Sequence, residues 1–292
     1  MNSFTIKDLE NISGIKAHTL RIWEQRYSFL KPSRTFTNIR YYSNEELKSI
    51  LNISLLNKYG YKVSAINKMS ADQIRENVLA LTQIEAQEER IVNEMVEYMI
   101  ELNTIAFEKK ISNQIDEIGI EDTITKIIFS FMEKIGILWM TNHINPAQEH
   151  LITNIIRQKL IVGIEGFSPS IKVDKTVLLF LPENEYHELG LLFMYYLLKS
   201  RGITVIYLGC NVPIADIGYI VKVKKPDYLY CHITRPGHNF KFEKFLKNIT
   251  NNFENTPCII SGQQIQNYDE PLNPNIIFKK SLVEVMAFIS NL

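Results

Sequence analysis

No apolar run in the 292 residues reaches the ~18 that a membrane-spanning helix needs, so the chain is not expected to enter a membrane. The opening stretch MNSFTIKDLENISG lacks a basic segment followed by an apolar core, so no signal peptide is expected and the chain is placed in the cytoplasm. Only three cysteines occur, Cys210, Cys231 and Cys258, spaced too widely for a disulfide framework or a zinc site. Each sits in or beside a run that reads as a buried strand, where a thiol acts as a small hydrophobe in a reducing compartment. There is no internal repeat, low-complexity tract or long flexible linker. No nucleophile and base are paired in a recognisable constellation, so the chain is not expected to be an enzyme.

The formal net charge is zero, but its parts are uneven. Residues 1–70 carry eleven Lys and Arg against five Asp and Glu, and the remainder is acidic by the same margin. A basic head on an acidic body points to nucleic acid as the partner of the head. The hydropathy pattern divides the chain into three. Residues 1–75 alternate short helical patterns with turn signals. Residues 76–170 repeat apolar positions at 3.6-residue spacing, with breaks near Asn103, Gly119 and Asn145-Pro146, which predicts about four helices. In 171–292 short β-branched runs (TVLLFL, TVIYLG, DYLYCHI, PCIISG, NIIF) alternate with helical stretches. That alternation predicts a parallel sheet covered on both faces, with the strand count of a flavodoxin-like fold. The expected class is therefore α plus α/β: a winged helix-turn-helix, a four-helix bundle and a Rossmann-type sheet.

In the head, TIKDLENISGIKAHTLRIWEQR fits two short helices about a turn at Ser13-Gly14. Thr5 and Asp8 form a near capping box. Ile6, Leu9 and Ile12, then Ile15, Leu20 and Trp23, supply a small core. Lys16, His18, Thr19 and Arg21 would project from the second helix, the one that enters a major groove. Arg34 and Arg40 flank a hairpin suited to phosphate or minor-groove contact; the plain alternative for these arginines is a solvated face. TLRIWEQRY, LKPSR, NIRYYSNEEL and NKYGYKVSAI together resemble the DNA-binding domain of the MerR family of transcriptional regulators, over residues 3–70 without a gap. The resemblance implies a winged helix-turn-helix that binds a palindromic double-stranded operator as a dimer. It places Arg21, Arg26, Arg34, Arg40 and Tyr41 at DNA and gives Trp23 and Glu24 structural roles.

The body contains one corner of unusual chemistry, ENEYHELG at 183–190. A histidine between acids, after a strand and before a helix, can bind a metal, act as acid or base, or sit near a helix start. Glu185-x-His187-x-x-Gly190 resembles the D/E-x-H-x-x-G signature of cobalamin-binding domains. That resemblance implies His187 as the lower ligand of cobalt, Glu185 as the acid that orients it, and Gly190 as room for a helix to start close to the ligand. YLGCNVP resembles the second strand-loop of the same domains, with Leu208, Gly209 and Pro213 in register. IISGQQI resembles their late glycine-rich loop, with Gly262 and Gln263 matching and Ser261 in place of the first glycine. Upstream, Trp139 followed by Glu149-His150 (WMTNHINPAQEH) resembles the bundle of adenosylcobalamin-binding, light-responsive MerR-type repressors of the CarH/LitR group. There these three residue types surround the adenosyl group. Taken singly, Trp139 also reads as helix core and Glu149-His150 as a first helical turn.

Two departures stand out. The serine that in the family follows the third strand, and positions the displaced dimethylbenzimidazole tail, is replaced by His232, while Thr234 stays in register. After Trp139, where light-sensing members can carry a histidine, this chain has Met140, and His143 lies one helical turn on. The resemblances imply a transcriptional repressor controlled by adenosylcobalamin or another cobalamin. Its homo-oligomeric state, dimer or tetramer, would change when light breaks the cobalt–carbon bond. A corrinoid-level sensor without photochemistry, a regulator with a vestigial cobalamin site and a corrinoid carrier are the other readings.

Overall fold

Thr5 begins the first helix as the sequence suggests. Its side chain accepts from the Asp8 amide, and the Asp8 carboxylate accepts from the Thr5 amide. Such a cap is worth about 1 kcal/mol. This helix, α1 (Ile6–Ser13), ends at Gly14, whose φ of 73° is the left-handed value that lets the chain turn into α2 (Ala17–Arg26). The computed structural model describes residues 4–140, 144–169, 171–270 and 273–292, with Ile137, Trp139 and Met140 as backbone only. A two-stranded antiparallel wing follows, β1 (Ser33–Arg34) and β2 (Arg40–Tyr41), in the register Ser33↔Tyr41. Phe4 bridges to Tyr42, which pins the wing to the start of α1. Then come α3 (Asn44–Lys58), capped by a Ser43–Glu46 box, α4 (Val63–Ile66) and α5 (Ala71–Leu79), capped by a Ser70–Gln73 box.

Four helical segments follow: α6 (Ile84–Ile100), α7 (Thr104–Asp122), α8 (Phe129–Met140) and α9 (Pro146–Gly166). The breaks fall where the sequence placed them. Asn103 caps α7 through its side chain, and Gly119 interrupts α7 with φ 81° and ψ 167°, outside the helical region. Asn145 accepts from the Ala147 amide at the head of α9. Between α7 and α8, residues Thr123–Ile128 wind as a π-helix, which periodicity alone does not reveal. The chain forms two compact units, Met1–Ile155 and Ile156–Leu292. Within the first, the head packs directly on the bundle, α1 against α8 and α3 against α6. Lys48 and Lys58 of α3 pair with Glu97 and Glu89 of α6 at 3.1 and 2.6 Å. Leu9, Leu20, Trp23, Ile50 and Leu51 bury the head, and Met95, Met99, Phe107 and Phe131 bury the bundle.

The second unit contains a five-stranded sheet in which all neighbours are parallel: β3 (Val173–Pro182), β4 (Ile203–Val212), β5 (Tyr228–His232), β6 (Cys258–Ser261) and β7 (Ile276–Lys279). Their order across the sheet is β4-β3-β5-β6-β7. The connecting helices are α10 (Leu189–Ser200), α11 (Ile214–Lys224) and α12 (Phe242–Asn252), with α13 (Leu282–Ser290) after β7. This is the flavodoxin-like order expected, and the chain reverses its direction of travel between β3 and β5. Ligands of such sheets collect beyond the carboxyl ends of the strands at that switch point. The central strands read as unbroken apolar runs because both faces are covered; residues 177–182 of β3 are buried without alternation.

Candidate functional site

The loop after β3 and the loop after β5 meet at the switch point, and one carboxylate joins them. Glu185 is fully buried. Its Oε1 accepts from the backbone amides of Tyr186 and His187, both at 2.9 Å, and lies 2.6 Å from His187 Nδ1. Its Oε2 accepts from the amides of Thr234 and Arg235, both at 2.9 Å. Burial alone would raise the pKa of this carboxyl. The hydrogen bonds from His187 and the amides outweigh that and hold it below the ordinary carboxylate value. An ionised Glu185 accepts from Nδ1 of His187, so in the neutral imidazole the proton sits on Nδ1 and the lone pair on Nε2. The imidazole is about half exposed.

Asn184 and Asn211 close the loop on its other side. The Asn184 amide donates to Asn211 Oδ1 at 2.9 Å, and the Asn211 amide donates to the Glu185 carbonyl at 3.2 Å. Both asparagines hold positive φ, 67° and 56°, a conformation their short polar side chains tolerate. Glu188, next to His187, is bound by two groups: Arg157 Nε at 2.6 Å and the Tyr207 hydroxyl at 2.7 Å. Burial raises its pKa, but Arg157 and then Tyr207 bring it below the usual value. Cys210, beside Glu188, is pushed up to about 11 by burial and by that carboxylate, so it stays a thiol. Sequence reading did not mark Arg157, Glu188, Tyr207 or Asn211. Only the Glu188 position, next to the singled-out histidine, carried a signal.

The other expected residues fall into three groups. Thr234 and Gln263 come together, lining with Gln264, Asn267 and Tyr268 an open cavity of about 370 Å³. Gly262 has φ 108°, and a Cβ there would stand 2.3 Å from the Ile233 carbonyl, so only glycine fits. Leu208 and Gly209 lie inside a strand, as the run TVIYLG suggests, and the strand extends past them. β4 runs on to Val212, and Leu208 is the extra residue of a bulge between Leu179↔Tyr207 and Phe180↔Gly209. Pro213 is exposed at the start of α11. Gly190 is approached by His232: a Cβ at 190 would stand 2.5 Å from His232 Cδ2. The role expected for Gly190, nearness of helix to ligand, is in this structure nearness of helix to the His232 ring.

In the first unit, Glu149 is half-buried and His150 exposed in the first turn of α9. The neighbouring Gln148 is buried and donates to the Met99 and Ile100 carbonyls at 3.3 and 3.2 Å, which ties α9 to the end of α6. The side chains of Trp139 and Met140 lie outside the described residues, as does His143. In the head, His18, Arg21 and Arg26 are exposed on α2, and Thr19 is half-buried. Lys16 is the N-cap of α2 rather than part of it, and its ammonium lies 3.7 Å from Glu10. Arg34 is exposed on the wing and donates to Asn38 at 2.7 Å. Arg40 differs from its neighbours: its Nε donates to Glu24 at 2.8 Å, so this guanidinium braces the wing against α2. Tyr41 is exposed, as is Phe36 at the wing tip, which the sequence reading passed over.

Residues 4–73 match the family model described as MerR HTH family regulatory protein, and residues 91–162 match the B12 binding domain model. The chain is a MerR-type regulator with a B12-binding module. The regulator is 26% identical over 234 residues to the HTH-type transcriptional repressor CarH of Myxococcus xanthus, covering 78% of this chain and 77% of that protein. It is 26% identical over 261 residues to the HTH-type transcriptional repressor CarA of the same organism, covering 88% and 85%. Among solved structures it is similar to the monomethylamine corrinoid protein of Methanosarcina barkeri. That match has TM-score 0.51 and 12% identity and covers 70% of this chain and all of that one, a likeness of fold alone. The family makes the regulator a DNA-binding protein and not an enzyme, and assigns it a cobalamin. No helix among the described residues is long and apolar enough to cross a membrane.

The residues present fit that cofactor. Among the described residues no three His, Cys, Asp or Glu converge as they would on a bare ion. One imidazole backed by a buried carboxylate is compatible with a metal that arrives with its other ligands in place. The carboxylate behind the imidazole fixes its tautomer and its orientation.

Proposed function

We propose that the regulator is a repressor controlled by adenosylcobalamin, with His187 as the protein ligand of cobalt. The observation that carries the reading is the Glu185–His187 pair at the switch point of a parallel sheet. When bound, the cofactor in its adenosyl form supplies a light-labile cobalt–carbon bond. Glu185 holds the imidazole in one tautomer and one orientation. Trp139, Glu149 and His150 are the proposed contacts of the upper ligand. Trp139 lies on α8, the helix that packs on α1 of the head, so a shift of α8 bears directly on the DNA-binding element. The ligand regulates through the difference in its affinity for two arrangements of the chain. Assembly of subunits multiplies heads on one operator and so raises affinity for tandem or palindromic sites.

Reconstitution with adenosylcobalamin in darkness, followed by size-exclusion chromatography and operator binding before and after green light, tests this. A dark oligomer that binds DNA and dissociates on illumination is the expected result. Cobalamin uptake with no effect of light on size or DNA binding would leave a corrinoid-level sensor, a reading that Met140 favours.

A further inference from the structure

His232 stands at the carboxyl end of β5, in register with Ser261 of β6. Its Nδ1 lies 2.8 Å from Ser261 Oγ, and that oxygen lies 2.6 Å from the buried Tyr230 hydroxyl. The opposite edge of the ring rests on the backbone of Gly190, close enough that even a methyl group at 190 would overlap it. The ring is therefore clamped from both sides, by a hydrogen-bonded chain and by the first turn of α10. It fills the space between the loop that carries His187 and the strand ends behind it.

That space matters for a corrinoid. In free cobalamin the lower face of cobalt is occupied by the base of the molecule's own nucleotide tail. A protein imidazole that takes this position releases the tail on the protein's side of the ring, where it must find room. With a serine at 232, one oxygen would replace the imidazole, and a slot would open between Gly190 and Ser261 down toward Tyr230. With histidine the slot is closed. The open cavity beyond it, lined by Thr234, Gln263, Gln264, Asn267 and Tyr268, offers amide and hydroxyl groups suited to a ribose and a phosphate.

We propose that His232 is a specificity-determining residue: it bars the corrinoid's nucleotide tail from a buried slot over Gly190 and leaves it in the open polar groove of Thr234, Gln263 and Gln264. The tail then adds little to binding, and the regulator accepts corrinoids with different tails or none. This rests on the reading of His187 as the cobalt ligand.

Titration of the protein with hydroxocobalamin and with tail-less cobinamide, followed by absorbance and calorimetry, tests it. Wild type is expected to bind cobinamide at least as tightly as cobalamin. His232→Ser should shift the ratio of the two affinities tenfold or more toward cobalamin. Gln264→Ala should weaken cobalamin about threefold and leave cobinamide unchanged. A wild-type protein that prefers cobalamin by a hundredfold overturns the inference while leaving the cobalt ligand in place, and so does an unchanged ratio in His232→Ser. Binding of neither corrinoid to wild type overturns the cobalamin reading itself and the inference with it. The wild-type comparison decides even if the serine variant does not fold.

Discussion

His187 Nδ1 lies 2.6 Å from Glu185 Oε1, and Glu185 is fully buried while the imidazole is half exposed. One residue of the pair belongs to the fold and the other faces outward from it. Glu185 also collects four backbone amides from the loops after β3 and β5, so it anchors the site as well as orienting its ligand.

Glu185→Gln keeps the shape but replaces an acceptor of five hydrogen bonds by an amide with one oxygen. Loss of such an orienting partner typically lowers metal affinity about 10–100-fold, and two buried amides left with a poorer partner cost about 1–3 kcal/mol each. Corrinoid titration and chemical denaturation should show both losses. His187→Ala should lose cobalt coordination and cost about 1–3 kcal/mol of unfolding free energy, because the imidazole is a hydrogen-bond partner of the buried Glu185 carboxylate.

Gly190 and His232 should be coupled. Gly190→Ala alone overlaps the imidazole ring, so the helix or the ring must move. Overpacking of this kind costs about 1–3 kcal/mol. In a His232→Ser background the same alanine should cost a few tenths of that. A double-mutant cycle by urea denaturation reads the interaction directly; additive losses would contradict the packing described.

Stability of the apo protein should fall with acid through His232. Burial lowers its pKa from 6.5 to about 4, against the attraction of Glu185. Above pH 6.5 the ring is neutral in folded and unfolded chains alike. Between 6.5 and about 4 the unfolded chain binds a proton that the folded chain refuses, so folding stability declines as pH falls. The slope from this one group is at most about 1.4 kcal/mol per pH unit, flattening below about 4. His232→Asn should remove that component from the pH profile of the unfolding free energy.

On DNA, Arg26 and Arg40 should separate. If Arg26 meets a phosphate, Arg26→Ala reduces the slope of log affinity against log salt by about 0.9. It should leave thermal stability unchanged, since the side chain is exposed on α2. Arg40→Ala should lower the melting temperature as well, because it strands Glu24 between α2 and the wing.

Much of this architecture was legible because local signals agreed with the global fold. Thr5-Asp8, Ser13-Gly14 and Asn145-Pro146 marked helix ends, and five β-branched runs marked five strands. Position 187 stood out because an imidazole between acids at a strand end is chemically unusual. What stayed hidden depends on contacts distant in sequence. Arg157 meets Glu188 across 31 residues, and His232 meets Gly190 across 42, so neither periodicity nor a short motif reports them. The bulge at Leu208 was invisible for a related reason: register is a property of two strands, and YLGCNVP shows only one. Arg40 read as one basic residue among several, and only its distance to Glu24 distinguishes it.

The most direct measurement is electron paramagnetic resonance of the protein-bound cobalt(II) corrinoid, made with natural-abundance and with ¹⁵N-histidine-labelled protein. Ligation by His187 predicts nitrogen splitting that changes from triplets to doublets on labelling and is lost in His187→Ala. Splitting that ignores the label would come from the corrinoid's own base, and would contradict the assignment of His187 to cobalt.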